Sequence, residues 1–371
     1  MQRIDSSHAG RVMPDPAAWD AGSFASEVEY SVALTEADRQ ELLAAVRKVA
    51  AAGRLTPPHA LEPQDFRCSA LAHKLRQAYE QVRSGRGFIL LRALPRHGLS
   101  FDEFAAVVWG VGTHFGHALS QNAKGELLAH VIDATAFEST PRMYRSALEL
   151  GLHNDVTAML SLACWQPAKS GGESRLGSAV RIHDEIARRA PHLLEPLYRG
   201  FHYHRLGEEG PDEEPVTPYR IPVFAVRSGQ VSCRNARAGY IAGHHELGIP
   251  ITDTELEAID LFDAIARESQ TAVSFSLDYG DMLVINNYTV LHARRAFEEF
   301  PDPERRRHLL RLWLDADDFR DVPKEFNQMS ANGIPYQAGR SCSYDFQKLF
   351  REIDPRLLGF RPTQRPRTGS N

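Results

Sequence analysis

The sequence predicts a mainly β fold with helices, an α+β chain whose core is a β-sandwich or barrel decorated on the outside. Three observations predict it. Strand-like segments are short, apolar and scattered among loops, from GFILLRAL at 87–94 to HLLRLWL at 308–314. Helix signals gather early in the chain, ahead of most of these segments. The regular βαβ alternation of a doubly wound sheet is absent.

Taken in order, residues 1–34 read as a polar arm punctuated by proline and glycine. Residues 35–360 read as one domain with a helical N-terminal part, and 361–371 (RPTQRPRTGSN) as a mobile tail. Thr35 with Asp38 opens an Ala/Leu-rich helix that stops at Gly53. Ser100 with Glu103 forms a capping box before FAAVVWGVG, since each side chain satisfies an orphan amide of the first turn. Thr252 with Glu255 repeats that signature. Strands are expected at 157–165 (TAMLSLACW), 273–277 (VSFSL) and 281–286 (DMLVIN), and a hairpin within PVFAVRSGQVSCR at 222–234. Gly280 in DYGD tolerates the positive φ of a tight turn.

Composition narrows the function classes. The 371 residues carry 43 Lys and Arg against 48 Asp and Glu, a formal net charge of −5. That balance excludes a broad basic surface for nucleic acid or anionic lipid. No run approaches the roughly 18 apolar residues of a membrane span, and MQRIDSSHAG lacks the apolar stretch of a secretory signal. Cys68, Cys164, Cys233 and Cys342 lie far apart without a CxxC, which suits reduced thiols of a cytoplasmic protein. A small-molecule substrate is expected, and a homo-oligomer is left open.

Sixteen histidines offer many accidental metal spacings, so a carboxylate two residues away is the useful filter. His153-Asn154-Asp155 and His244-His245-Glu246 satisfy it. On a strand, positions i and i+2 face one side, so His153 and Asp155 can present an imidazole nitrogen and a carboxylate oxygen together. His292, at the end of the apolar segment DMLVINNYTVL, is the best third ligand. Two histidines and one carboxylate leave three positions open, the facial triad of non-haem Fe(II) oxygenases. By itself this spacing is weak evidence.

The segment after His292 strengthens it. Arg307 and Arg311 follow at fifteen and nineteen residues, and alternation puts Arg307, Leu309, Arg311 and Trp313 on one face of the last strand. A guanidinium is permanently charged and grips a carboxylate through two parallel hydrogen bonds. A dicarboxylate held by iron at one end needs such a clamp at the other.

The motifs LGLHNDVTAMLSLACWQPAKSGGES, NNYTVLHARRAF and RHLLRLWL, in that order, resemble those of the TauD/TfdA family of Fe(II)- and 2-oxoglutarate-dependent dioxygenases. The resemblance spans roughly residues 85–315 and implies a double-stranded β-helix (jelly-roll) core. It implies that His153, Asp155 and His292 bind Fe(II), and that O₂ and 2-oxoglutarate are cosubstrates. Ser174 of GGES falls where the family has a hydroxyl, often Thr, on the distal carboxylate of 2-oxoglutarate. Arg307 falls on the arginine that pairs with that carboxylate, and Arg311 on the one that grips the sulfonate in taurine dioxygenase. The implied reaction is oxidation of a C–H bond in a small, anionic substrate with release of succinate and CO₂. Asp155 disfavours halogenation, because related halogenases carry a small residue there. Arg295 stands where many relatives have a small or polar residue, and its role is open.

Simpler readings stand beside these. His244, His245 and Glu246 read as a Gly-flanked surface loop, and His202 and His204 as packing or solvent-facing residues of a strand. Cys164 and Trp165 read as core, and Arg305 and Arg306 as a solvated turn. Arg311 has a structural alternative, an ion pair with Asp315, and Ser174 could cap the helix SAVRIHDEIARRA. Two other classes compete with the oxygenase: a cupin-type metal dioxygenase without 2-oxoglutarate, and a catalytically silent ligand-binding jelly-roll.

Overall fold

The computed structural model describes residues 14–136, 138, 143–317, 319–329, 333–339, 351–354 and 356–358. The first part of the expected arm, the tail at 361–371 and Cys342 lie outside them. The strands are β1 Ser31–Ala33, β2 Phe88–Arg92, β3 His117–Leu119, β4 Leu128–Val131, β5 Leu150–His153, β6 Met159–Gln166, β7 Ser170–Gly171 and β8 Ser174–Ser178. They continue as β9 Phe224–Arg227, β10 Gln230–Cys233, β11 Ala272–Phe275, β12 Met282–Asn286, β13 Val290–Arg294, β14 Phe297–Glu298 and β15 His308–Asp315. The helices are α1 Glu36–Ala51, α2 Ser69–Arg83, α3 Phe101–Gly112, α4 Ala179–Arg189, α5 Leu194–Arg199, α6 Arg237–Glu246 and α7 Asp253–Arg267.

Two sheets make the jelly-roll. The larger runs β1-β2-β12-β6-β15-β3, with β4 also on β15, and the smaller runs β11-β8-β13-β5. Every pairing is antiparallel except β1 with β2. Period-two alternation divides the larger sheet cleanly, since neighbouring side chains point to opposite faces. Leu90, Leu160, Leu283, Leu309 and Trp313 turn inward toward the smaller sheet. Leu91, Met159, Val284, Leu310 and Leu312 turn outward, where α1, α2 and α3 cover them. Helices α4, α5 and α7 close the far side with the β9–β10 hairpin, through Ile182, Leu197, Phe224 and Phe262. The three expected caps are in place: Thr35, Ser100 and Thr252 each accept from the backbone amide three residues on. The hairpin turns on Ser228 and Gly229, both at positive φ. Among the described residues no helix is long and apolar enough to cross a membrane.

Three expectations need correction. Residues 14–34 are not a loose polar arm. Trp19 and Tyr30 are buried, Trp19 donates its indole N–H to the Arg86 carbonyl at 2.7 Å, and β1 pairs with β2. The polar average hid three aromatics, Trp19, Phe24 and Tyr30, that cluster on Phe88. His244, His245 and Glu246 end α6 rather than forming a loop, and His244 is buried against Phe201. Gly239 and Gly243 disfavour a helix intrinsically, yet a Cβ at either would strike Tyr203 or the His202 backbone, so close packing demands them. His202 and His204 lie outside any strand and bond to backbone, at the Thr217 carbonyl and the Leu206 amide.

His130 of β4 and His308 of β15 meet at 2.8 Å, with Phe101 stacked on both. Burial lowers both imidazoles, His308 to about 4 with His130 adding to the effect. Burial also lowers His114, His204 and His244. An unfolded histidine titrates near 6.5, so below that pH the unfolded chain binds more protons than the folded one. The contribution to stability is therefore complete above about pH 6.5 and is lost as pH falls toward 4. The urea midpoint of the metal-free protein falls between pH 7 and pH 5, and His308→Phe makes that fall shallower. A midpoint independent of pH across this range contradicts the assignment.

Candidate active site

His153 closes β5 and His292 sits in β13, and the two are direct cross-strand partners in the smaller sheet. That register, set by more than a hundred residues of intervening chain, brings their ring centroids to 4.2 Å. Asp155 lies beyond the end of β5, in the loop before β6. The i, i+2 strand geometry expected for His153 and Asp155 is thus replaced by a turn that achieves the same convergence. One ligand atom from each of the three lies within 4.8 Å of the others. His153 Nε2 is 3.6 Å and His292 Nε2 3.9 Å from Asp155 Oδ1.

The loop is held from several sides. Asn154, the variable middle of the motif, donates to the carbonyls of Asn287 and Val290 at 2.8 and 3.2 Å and accepts from the Asn235 amide at 2.9 Å. Asn287 and Arg234 each donate to the Asp155 carbonyl at 2.6 Å. Asn154→Ala removes buried bonds and leaves backbone groups unpaired, at about 1–3 kcal/mol. Urea unfolding of the metal-free variant shows that loss, and a change below about 0.5 kcal/mol contradicts the role.

Electrostatics prepares the three side chains for a cation. His153 Nδ1 lies 2.9 Å from the Gly151 carbonyl, which takes an N–H there and leaves Nε2 as a lone-pair donor. Burial, with His153 and Arg311 nearby, pushes His292 down to about 3, so it is neutral and able to ligate. Burial alone would raise Asp155, but Arg311 and the two histidines outweigh it and hold the carboxylate ionised. Two imidazoles and one carboxylate on one wall, with space in front, suit Fe(II). Among the described residues this is the one such group of three or more.

The wall belongs to a partly open pocket between the two sheets. Leu160, Leu176, Leu283 and Leu309 make it apolar, while Ser174, Arg294, Arg307 and Arg311 converge on it. Arg307 precedes β15 and points inward, as alternation predicts, and its Nη1 is buried without a hydrogen-bond partner. Burial and the neighbouring Arg294 push it down to about 10. A buried guanidinium nitrogen left without a hydrogen-bond partner is costly, so this position suits a bound anion. Ser174 is buried at the start of β8, and α4 is capped by Ser178 instead, so the capping alternative for Ser174 falls away.

Arg311 is not an open guanidinium. Its Nε donates to Gln121 Oε1 at 2.7 Å and its Nη1 to Asp155 Oδ2 at 3.1 Å. Its acid is therefore Asp155 rather than Asp315, which accepts from the Ala316 amide. Arg295 is exposed, as are Arg305 and Arg306, whereas Arg294 is buried and donates to the carbonyls of Ser146 and Leu148 at 2.6 Å each. Sequence reasoning missed Arg294, Gln121 and Asn287. For Arg294 the signal was present: it stands two residues after His292 on the same strand.

The described chain matches the family model "Taurine catabolism dioxygenase TauD, TfdA family" over residues 51–313. The protein belongs to the TauD/TfdA family. Among relatives of this TauD/TfdA protein, FR-33289 synthase of Streptomyces rubellomurinus is 30% identical over 311 residues, covering 82% of this chain and 91% of that one. Taurine hydroxylase-like protein SAT17 of Stachybotrys chartarum is 29% identical over 317 residues, covering 80% and 78%. An asparagine oxygenase, solved with Fe(II), 3-hydroxyasparagine and succinate, shares the fold at TM-score 0.60 and 18% identity over 77% of this chain and 93% of that one. The non-haem iron oxygenase OrfP, solved with Fe and alpha-ketoglutaric acid, does so at TM-score 0.56 and 15% identity, over 77% and 94%. As a TauD/TfdA member the protein is an Fe(II)- and 2-oxoglutarate-dependent oxygenase that acts on a small molecule. The readings without 2-oxoglutarate or without catalysis are not favoured.

Proposed function

We propose that His153, Asp155 and His292 hold Fe(II), that Arg307 and Ser174 hold the distal carboxylate of 2-oxoglutarate, and that the enzyme hydroxylates a C–H bond of a small anionic substrate. The observation that carries this reading is the buried, unpartnered Arg307 Nη1 in the same cavity as the three converging ligand atoms. When bound, Fe(II) with 2-oxoglutarate and O₂ supplies the oxidising chemistry and releases succinate and CO₂. The protein's own groups orient and enclose it. His153 and His292 present their Nε2 atoms and Asp155 supplies one negative charge. Arg307 answers the far carboxylate through a fork, with Ser174 beside it. The leucines of the cavity exclude water, which strengthens each charged contact.

The anionic character of the substrate rests on Arg311. Two of its nitrogens are engaged, and Nη2 is the one we assign to a substrate carboxylate or similar group. The solved relatives hold hydroxyasparagine or arginine, amino acids that bear a carboxylate. The buried free thiols Cys68, Cys164 and Cys233 suit a reducing compartment, and we place the enzyme in the cytoplasm, without a nucleic-acid partner.

Anaerobic addition of Fe(II) and 2-oxoglutarate tests the assignment through the weak visible charge-transfer band of the chelate. The band forms in the parent protein and is lost in His153→Ala. A band of equal strength in both overturns it. A panel of amino acids, sulfonates and other small anions, read by succinate release, then finds the substrate. A preferred substrate without an anionic group overturns the role of Arg311.

A further inference from the structure

The two oxygens of the Asp155 carboxylate have different surroundings. Oδ1 faces Nε2 of both histidines at 3.6 and 3.9 Å. Oδ2 accepts the Trp313 indole N–H at 2.8 Å and Arg311 Nη1 at 3.1 Å. We propose that Trp313 is a positioning residue for the metal: its indole N–H, together with Arg311, occupies Oδ2 so that Asp155 presents Oδ1 alone. This rests on Asp155 being an Fe(II) ligand.

The physical need is one of counting positions. The triad must take three sites on the metal and leave three for a chelating cosubstrate and O₂. A carboxylate that bound through both oxygens would take one of the open sites. Asp155 sits in a loop rather than a strand, so backbone alone does not set its side-chain torsion. Two donors on one oxygen do set it. Arg311 contributes the charge and is itself fixed, because Gln121 accepts from its Nε and donates to the Arg311 backbone carbonyl at 2.8 Å. Trp313 contributes a neutral, directional bond from a rigid ring. It points inward two residues beyond Arg311 by strand alternation and is almost wholly buried. A buried indole N–H needs a partner, and the metal-site carboxylate is the partner this one has.

The bond joins a core tryptophan to a first ligand, so volume and hydrogen bonding must be separated in the test. Two variants do so: Trp313→Phe, and replacement of Trp313 by benzothienylalanine, which keeps the ring size and exchanges N–H for sulfur. Fe(II) affinity is measured by anaerobic titration, stability by urea unfolding of the metal-free protein, and coordination by the visible spectrum of the Co(II)-loaded protein. We expect both variants to bind Fe(II) about 10- to 100-fold more weakly, the range for losing an outer partner of a metal ligand. The benzothienylalanine protein keeps its urea midpoint, and its Co(II) spectrum weakens toward that of a higher coordination number. Parent-like Fe(II) affinity and Co(II) spectrum in that variant overturn the proposal, even if Trp313→Phe is unstable. Asp155→Ala separates this failure from failure of the site itself. If Asp155→Ala loses Fe(II) while the benzothienylalanine protein keeps it, Trp313 has no positioning role and the triad stands. If Asp155→Ala binds Fe(II) like the parent, the ligand assignment falls and the proposal falls with it.

Discussion

His153→Ala and His292→Ala abolish iron-dependent turnover while the protein stays folded. Each removes one of the three proposed ligands, and among the described residues no other group of three His, Cys, Asp or Glu side chains converges to hold a metal. His292 is the more telling of the two. Its ring is buried, its Nδ1 has no hydrogen-bond partner among the described residues, and burial holds it neutral. Such an imidazole adds little to folding, so alanine removes function without removing a bond the fold needs. Succinate release and near-UV circular dichroism are the two measurements. Turnover near the parent rate by a folded, iron-loaded variant contradicts the triad. Asp155→Gly also loses oxygenation, but it strands the charge of Arg311 in the core and therefore destabilises as well.

Arg307→Ala raises the 2-oxoglutarate concentration needed for half-maximal rate by roughly ten- to a hundredfold. A charge-assisted bond to a carboxylate contributes about 1.5–3 kcal/mol, and every 1.4 kcal/mol is tenfold. Ser174→Ala, which loses a neutral hydroxyl bond nearer 1 kcal/mol, raises it about fivefold. The same substitution has an opposite effect on the metal-free fold. Arg307 is a buried guanidinium beside a second one, Arg294, and burial with that neighbour depresses it to about 10. Removing it relieves the repulsion, so Arg307→Ala without ligands unfolds at a higher urea concentration than the parent. Loss of cosubstrate affinity with a gain in stability is a signature that packing damage does not produce. Arg307→Lys restores the charge without the fork and recovers the affinity in part. Unchanged 2-oxoglutarate dependence in Arg307→Ala contradicts the clamp.

Much of this site could be read from the chain before folding, because its signals are local. The helix caps at Thr35, Ser100 and Thr252 each depend on residues three apart, and all three form as read. The inward face of β15 follows from a period of two, so Arg307, Leu309, Arg311 and Trp313 point where alternation puts them. The identity of the three converging residues came from His-x-Asp and a distant histidine in a recognisable order. The errors are equally physical. A run of polar residues concealed Trp19, Phe24 and Tyr30, whose burial depends on Phe88, a residue of another strand. Gly243 argued against α6, because the close contact that requires glycine there comes from the backbone of His202.

The sequence by itself determined which donors the proposed site offers: two imidazoles, one carboxylate, one hydroxyl and the arginines of the last strands. How those donors divide the work came from sheet register. Cross-strand pairing sets His292 opposite His153, and the β6–β15 pairing puts Trp313 and Arg311 over the far oxygen of Asp155. It also buries Arg294 while leaving Arg295 in solvent. A carboxylate and a guanidinium more than 150 residues apart have no local pattern that joins them. Their contact exists because dozens of backbone hydrogen bonds and two apolar faces fix one register, and a shift of one residue would turn each of these side chains to the opposite face.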